Sequence, residues 1–227
     1  MAAGITMTEN DRARIAAAVT TAEAETSGEI VTILAASSDA YDDVALGWAA
    51  LVALVALTAL ALFPDFYLGL YDRLTGAWAQ DWSAGRLFGV AALVAALKFG
   101  ATWLLLRWPA LRLALTPAPV RHRRVHARAL SAFRIGAERR TTGRTGILIY
   151  LSLAEHRAEI IADETIARKV QPDVWGAALA AMLVELKAGR LADGMVAAIG
   201  QVGEVLAAHF PRADDDRNEL PDRLIEV

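Results

Sequence analysis

Three carboxylates stand where a folded chain can bring acidic groups together. Asp163 closes the apolar run from Arg157, Glu164 follows it, and Asp193 precedes a glycine at the head of a helical apolar pattern. Strand ends and helix starts can converge, and several carboxylates around one divalent cation are what a metal-dependent phosphatase-like hydrolase needs to hold phosphoryl oxygens. The same positions have a plainer reading. Asp193 before Gly194 suits a helix N-cap, and Asp163 suits a turn at a strand end. Asp39, between Ser38 and Ala40, either joins these carboxylates or marks the start of an apolar span.

Other chemistry is weaker. His122 and His126 have the four-residue spacing of helical metal ligands, but neighbouring arginines repel a cation. Thr142-Gly-Arg-Thr-Gly146 looks like a phosphate loop yet leads into a strand rather than a helix N-terminus. Four scattered histidines assemble no Ser/His/Asp triad, and the absence of cysteine excludes disulfides, thiolate zinc sites, iron–sulfur clusters and thiol nucleophiles. The catalytic groups stay unassigned, and a divalent cation is the one cofactor the sequence suggests.

The elements that must position these residues are dominated by apolar sequence, 56% hydrophobic with a mean hydropathy of +0.35. Val44 to Phe63 is uncharged, and Leu87 to Leu106 carries one charge, Lys98. At 1.5 Å rise per residue either run crosses a hydrocarbon core of roughly 30 Å. A soluble protein burying both runs would need more polar sequence to wrap them. Residues 64–86 form an extracytoplasmic loop rich in interfacial aromatics (Phe66, Tyr67, Tyr71, Trp78, Trp82), and Trp103 and Trp108 anchor the second span. The loop holds only Arg73 and Arg86 as cations, against nine arginines and one glutamate in residues 107–140. This bias predicts a multi-pass protein of the inner (plasma) membrane with both termini cytoplasmic. Residues 1–43 are acidic and lack a signal-peptide pattern, so no leader is expected to be removed. Arg121, Arg123, Arg124 and Arg128 are read as lipid-surface residues rather than nucleic-acid contacts, because juxtamembrane basic clusters are drawn to anionic lipid. Lys98 costs about 2.5–3.5 kcal/mol near mid-bilayer unless it snorkels or meets lipid or another subunit. A transporter subunit using it would have to be a homo-oligomer.

Outside the spans, residues 1–38 predict a helix opened by a Thr6-to-Glu9 capping box, ended by a left-handed Gly28, and a strand from Ile30 to Ala36. Pro117 and Pro119 break the chain before an Arg-rich helix to residue 140, with Val125, Ala129, Ala132, Phe133 and Ala137 on one side, expected at the membrane surface. Residues 141–211 hold two strands, Thr145 to Ser152 and Arg157 to Asp163, joined by Leu153-Ala-Glu-His156. Two helices follow, opened by Pro172-Asp173 and Asp193-Gly194, and residues 212–227 form an acidic tail. The expectation is one small mixed-sheet α/β sandwich split by a transmembrane hairpin.

Ser27-Gly-Glu-Ile-Val31, Thr145-Gly-Ile-Leu-Ile-Tyr150, Glu159-Ile-Ile-Ala-Asp163, Gly189-Arg190 and Asp193-Gly194 resemble stretches of the TPM domain family. They spread over most of the chain outside the hairpin. The resemblance implies an α/β sandwich, and it implies roles that differ among members: assembly or repair of membrane complexes, receptor modulation, or acid phosphatase activity with carboxylate-bound metal. A shared fold does not choose among them. The expected function is a membrane-anchored interaction or assembly module meeting lipid and other membrane proteins, with the metal-dependent hydrolase as the alternative.

Overall fold

β-branched apolar stretches become strands here, and alanine- and leucine-rich stretches become helices. The computed structural model describes residues 7–76, 82–136, 145–213 and 218–227. In chain order it holds α1 (Glu9–Glu23), β1 (Glu29–Ala35), α2 (Asp42–Leu62), α3 (Pro64–Thr75), α4 (Ala84–Leu105), α5 (Pro109–Ala114) and α6 (Ala118–Gly136). Then come β2 (Gly146–Ser152), β3 (Arg157–Ala162), α7 (Glu164–Lys169), a 3-10 turn (Pro172–Val174), α8 (Trp175–Lys187), α9 (Leu191–His209) and β4 (Ile225–Glu226). They divide into an α/β unit, Met1–Asp39 with Ala118–Val227, and a helical unit, Ala40–Pro117, inserted in the chain between its two pieces.

The α/β unit is built on a mixed sheet of order β3-β2-β1-β4. β1 and β2 run parallel, from Glu29 opposite Gly146 to Ala35 opposite Ser152, while β3 is antiparallel to β2. Alternate side chains leave a strand on opposite faces. Ile30, Leu34, Ile147 and Ile149 therefore pack with Ile15 of α1, Met182 of α8 and Ile199 of α9. Val31, Ile33, Leu148 and Tyr150 pack on the other face with Val125, Ala129 and Phe133 of α6. Every residue of β1 and β2 is buried, as strands covered on both faces require. Each such leucine or isoleucine contributes about 1.5–3 kcal/mol.

Several local expectations are corrected. The N-cap of α1 is Thr8, whose Oγ1 accepts from the Asp11 N–H at 3.1 Å while its own N–H donates to Asp11 Oδ2 at 3.1 Å. Glu9 lies inside the helix, and Thr6 is outside the described residues. Gly28 is not left-handed; α1 ends at a helical Ala24, and a Cβ on Gly28 would meet Leu206 Cδ1 at 2.9 Å. The apolar side of α6 is spent on the sheet, not on a membrane surface. Arg157 and Glu159 of β3 lie beneath the two histidines of α6. Helices α3, α5 and α7 and strand β4 were not legible as elements. Trp78, Ala137, residues 142–144 of the glycine-rich loop and Asp214 to Asp216 fall outside the described residues.

In the helical unit, α2 and α4 pack against each other. Trp48 Nε1 donates to the Leu115 carbonyl at 3.2 Å, and Arg112 pairs with Asp42, which ties the end of this segment to its beginning. Among the described residues three helices are long and apolar enough to cross a membrane: α2, α4 and α9. Their surroundings differ. The most apolar stretch is 17% buried in α2, 0% in α4 and 50% in α9.

Candidate functional site

Beyond β1 the chain reads Ala36-Ser-Ser-Asp39, and beyond β2 it turns through Leu153 to His156 into β3. Both ends are pinned by backbone hydrogen bonds, Leu153 N–H to Ala35 O at 2.9 Å and Ala154 N–H to Ala36 O at 3.1 Å. His156 closes the turn in a left-handed conformation, φ 50°. The result is that Glu155, a loop carboxylate, is only 4% exposed at the carboxyl end of the two parallel strands. A buried carboxylate demands donors. It has the Ser38 N–H at 3.0 Å, the Ser37 hydroxyl at 3.1 Å and the Ser152 hydroxyl.

From Glu155 a chain of hydroxyls runs outward. Ser152 donates to Glu155, Ser38 Oγ donates to Ser152 Oγ at 2.8 Å, and the Tyr150 hydroxyl lies 3.1 Å from Ser38 Oγ, free to donate to it. The charge of Arg128 on α6 also acts on Tyr150. Burial pushes the Tyr150 hydroxyl above its ordinary pKa, and the nearby Glu155 charge adds to this, against the lowering effects of Ser38 and Arg128. The phenol therefore stays protonated at neutral pH and fixes the direction of the chain.

With Val125, Ala129 and Phe133 turned to the sheet, α6 presents a neighbouring stripe that includes Arg124, Arg128 and Ser131. An open cleft of about 590 Å³ lies there, lined by Ser38, Asp39, Arg123, Arg124, Ala127, Arg128 and Ser131. Asp39 Oδ2 accepts from Arg124 Nη1 at 2.5 Å. Among the described residues no ion pair involves Arg123 or Arg128. The cleft thus joins two guanidinium groups without a carboxylate partner among the described residues to one that is paired with Asp39.

The three carboxylates singled out in the sequence are not gathered. Asp163 caps α7, accepting the Glu164 N–H at 2.7 Å, and its Oδ2 is buried without a hydrogen bond among the described residues. Glu164 pairs with Arg168 on the helix surface. Asp193 is no N-cap, since α9 starts at Leu191; it takes Arg14 at 2.5 Å and Arg190 at 3.5 Å. Among the described residues no three His, Cys, Asp or Glu side chains stand together as a metal site. His122 and His126 face Glu159, at 3.8 and 3.4 Å, with Arg157 at 2.8 Å from His122. Of the four arginines read as lipid-facing, Arg123, Arg124 and Arg128 line the cleft, whereas Arg121 has its Nε buried without a hydrogen-bond partner among the described residues. Lys98 is exposed on α4, and among the described residues it has no ion pair. Glu155, Tyr150 and Ser152 were missed as site residues. The available signal was an acidic residue inside a short apolar hairpin loop, next to a strand ending in serine.

Fold and cleft together define a mixed α/β sandwich whose chain is interrupted by an apolar helical hairpin, with an arginine-lined cleft at the carboxyl ends of its parallel strands. No family model matches the sequence, and no curated protein does. The chain is similar to the NMR structure of BA42 from the psychrophilic bacterium Bizionia argentinensis, with a TM-score of 0.56 and 19% identity over 99% of this chain and 98% of that one. At that identity the likeness concerns the fold alone.

Proposed function

We propose that this protein is a membrane-anchored interaction module: α2 and α4 cross the bilayer as a hairpin, and the α/β unit works at the cytoplasmic face of the inner membrane. One observation carries the reading. Two helices of membrane-crossing length leave their apolar side chains uncovered, with Leu54 61% and Leu97 62% exposed. Soluble proteins rarely expose contiguous apolar patches beyond a few hundred Å². Lipid is the natural cover, and an even number of spans returns the chain to the side it left. The arginine bias of residues 107–140 favours the cytoplasm for that side. Lipid and other membrane proteins are the partners in this reading, with self-association through the hairpin as a further contact.

The TPM-like character of the α/β unit belongs to the same proposal. Its support is that three of the resembling stretches lie in adjacent strands, Glu29 to Val31 in β1, Gly146 to Tyr150 in β2 and Glu159 to Ala162 in β3. A module role asks for no catalytic group, and the dispersal of Asp163, Glu164 and Asp193 removes the particular motive for the hydrolase alternative.

Alkaline carbonate extraction of membranes from expressing cells tests the anchoring. The chain is expected in the pellet, and the Leu54→Arg, Leu97→Arg variant in the supernatant; extraction of the unaltered chain would sink the reading. Sidedness is checked with Ser83→Cys, at the N-cap of α4. A membrane-impermeant maleimide should label it from outside the inner membrane, and labelling only from the cytoplasm would reverse the orientation.

A further inference from the structure

We propose that the cleft beside α6 binds a small phosphate monoester, held by Arg123 and Arg128 with Arg124 at its wall. This stands on the α/β unit alone and does not require the hairpin to cross a membrane.

Position comes first. In open α/β sheets ligands bind beyond the carboxyl ends of the parallel strands, and Ser38 and Asp39 continue the chain from that end of β1. The volume, about 590 Å³, lies in the range of small-molecule sites. Charge comes second. Arg124 is answered by Asp39, which leaves two positive charges on Arg123 and Arg128. A phosphate monoester carries about -1.5 to -2 at pH 7 and matches them, whereas a single carboxylate leaves one unanswered. Guanidinium groups also fit tetrahedral oxyanions through paired N–H donors.

Pre-organisation comes third. An arginine free to wander loses side-chain entropy on binding, which weakens the site. Arg124 is held by Asp39, and Ser38, in the cleft wall, is fixed by the Tyr150 hydroxyl and through Ser152 by the buried Glu155. Glu155 and Tyr150 thereby act as positioning residues, buried behind the cleft and setting where Ser38 stands in its wall. Ser131 supplies a hydroxyl from α6 on the same wall. The event is binding, with no bond made or broken.

The monoester's source is either a soluble phosphorylated metabolite or a phosphatidic acid headgroup. The full chain, in nanodiscs of phosphatidylcholine, is titrated calorimetrically with glycerol 3-phosphate. Saturable binding is expected, weakened on the order of tenfold or more in Arg123→Gln, Arg128→Gln. Arg134→Gln, on the same helix outside the cleft, should match the unaltered chain. Arg123 is exposed, so Arg123→Gln alone keeps the fold and still weakens binding severalfold. Repeating the titration in nanodiscs containing phosphatidic acid, beside phosphatidylserine at equal charge, separates the sources. Loss of glycerol 3-phosphate binding only with phosphatidic acid identifies the headgroup; binding kept in all three identifies the soluble ligand. No saturable binding in phosphatidylcholine nanodiscs, or binding undiminished in the double variant, overturns the proposal. A chain that proved soluble without lipid would defeat the anchoring alone, and the same titration on the free chain would still read the cleft.

Discussion

Helix α9 and the pair α2 and α4 are alike in sequence and opposite in surroundings. All are long and apolar, and hydropathy alone would send each across a membrane. In α9 a continuous stripe, including Met195, Ile199, Val202 and Leu206, is sealed against α1, α8 and the sheet. In α4 no residue is buried, and in α2 only Ala45 and Ala49 are. The distinguishing feature is pattern. Asp193, Gln201, Glu204 and His209 interrupt α9 and give it a wet side, whereas α2 from Val44 onward has no charge anywhere around its circumference. An apolar helix with one polar side finds its cover in the protein; one apolar all round must find it elsewhere.

The largest effect should come from charging α9. Met195→Lys buries an ammonium where no solvent reaches, at a cost above about 3 kcal/mol, so hydrogen exchange in β1 and β2 should lose its protection. Leu97→Lys in α4 should leave that exchange unchanged while adding about 2.5–3.5 kcal/mol to membrane insertion, read as the inserted fraction in a translocon glycosylation assay. Equal effects of the two on the sheet would break the distinction.

Glycines sharpen it further. A Cβ on Gly203 would stand 2.7 Å from Ala22 Cβ, so Gly203→Ala should cost about 1–3 kcal/mol in denaturant unfolding of the α/β unit. Gly89 in α4 and Gly200 on the outer side of α9 have nothing within 4 Å, and alanine at either should be neutral or stabilise by up to about 1 kcal/mol.

Smaller again is the cap of α1. Thr8→Ala should cost about 1 kcal/mol, since it removes the hydroxyl that accepts the Asp11 N–H, while the residue-8 N–H keeps its bond to Asp11 Oδ2. Ser83→Ala at α4 should do less, because its cap hydrogen bond is long, 3.4 Å. Thermal melts of the two variants make the comparison.

The last effect is alkaline. A tyrosine whose folded pKa is raised keeps its stabilising contribution below the unfolded value of 10.0, and loses it as pH climbs from there through the folded value. The α/β unit should therefore weaken above pH 10, and Tyr150→Phe should flatten that decline in a pH series of denaturant midpoints.

How much of this was legible in the sequence follows the same division. The two apolar runs agree with helices α2 and α4 to within three residues, because a long apolar run needs no tertiary information to be recognised as a helix. β1, β2 and β3 were legible for a related reason, their β-branched runs lying between turn residues. Short elements were not. β4 has two residues and owes its existence to bonds such as Val227 N–H to Leu34 O at 3.0 Å, which join chain ends far apart in sequence. The site was legible in its cations and illegible in its anion. Arg123, Arg124 and Arg128 announce themselves as a cluster, but Glu155 becomes special only when Ser37, Ser38 and Ser152 close around it from two strands. Asp193 illustrates the converse: its neighbours suggest an N-cap, yet Arg14, 179 positions away, claims it.

The most direct test of whether α2 and α4 face hydrocarbon is spin-label accessibility in a bilayer. The chain has no cysteine, so Leu54→Cys, Leu97→Cys and Leu183→Cys each carry one label, the last on the exposed side of α8. Labels at 54 and 97 should collide with dissolved oxygen and not with a water-soluble nickel chelate, while the label at 183 should meet the chelate freely. Chelate access at 54 and 97 equal to that at 183 would contradict the membrane hairpin.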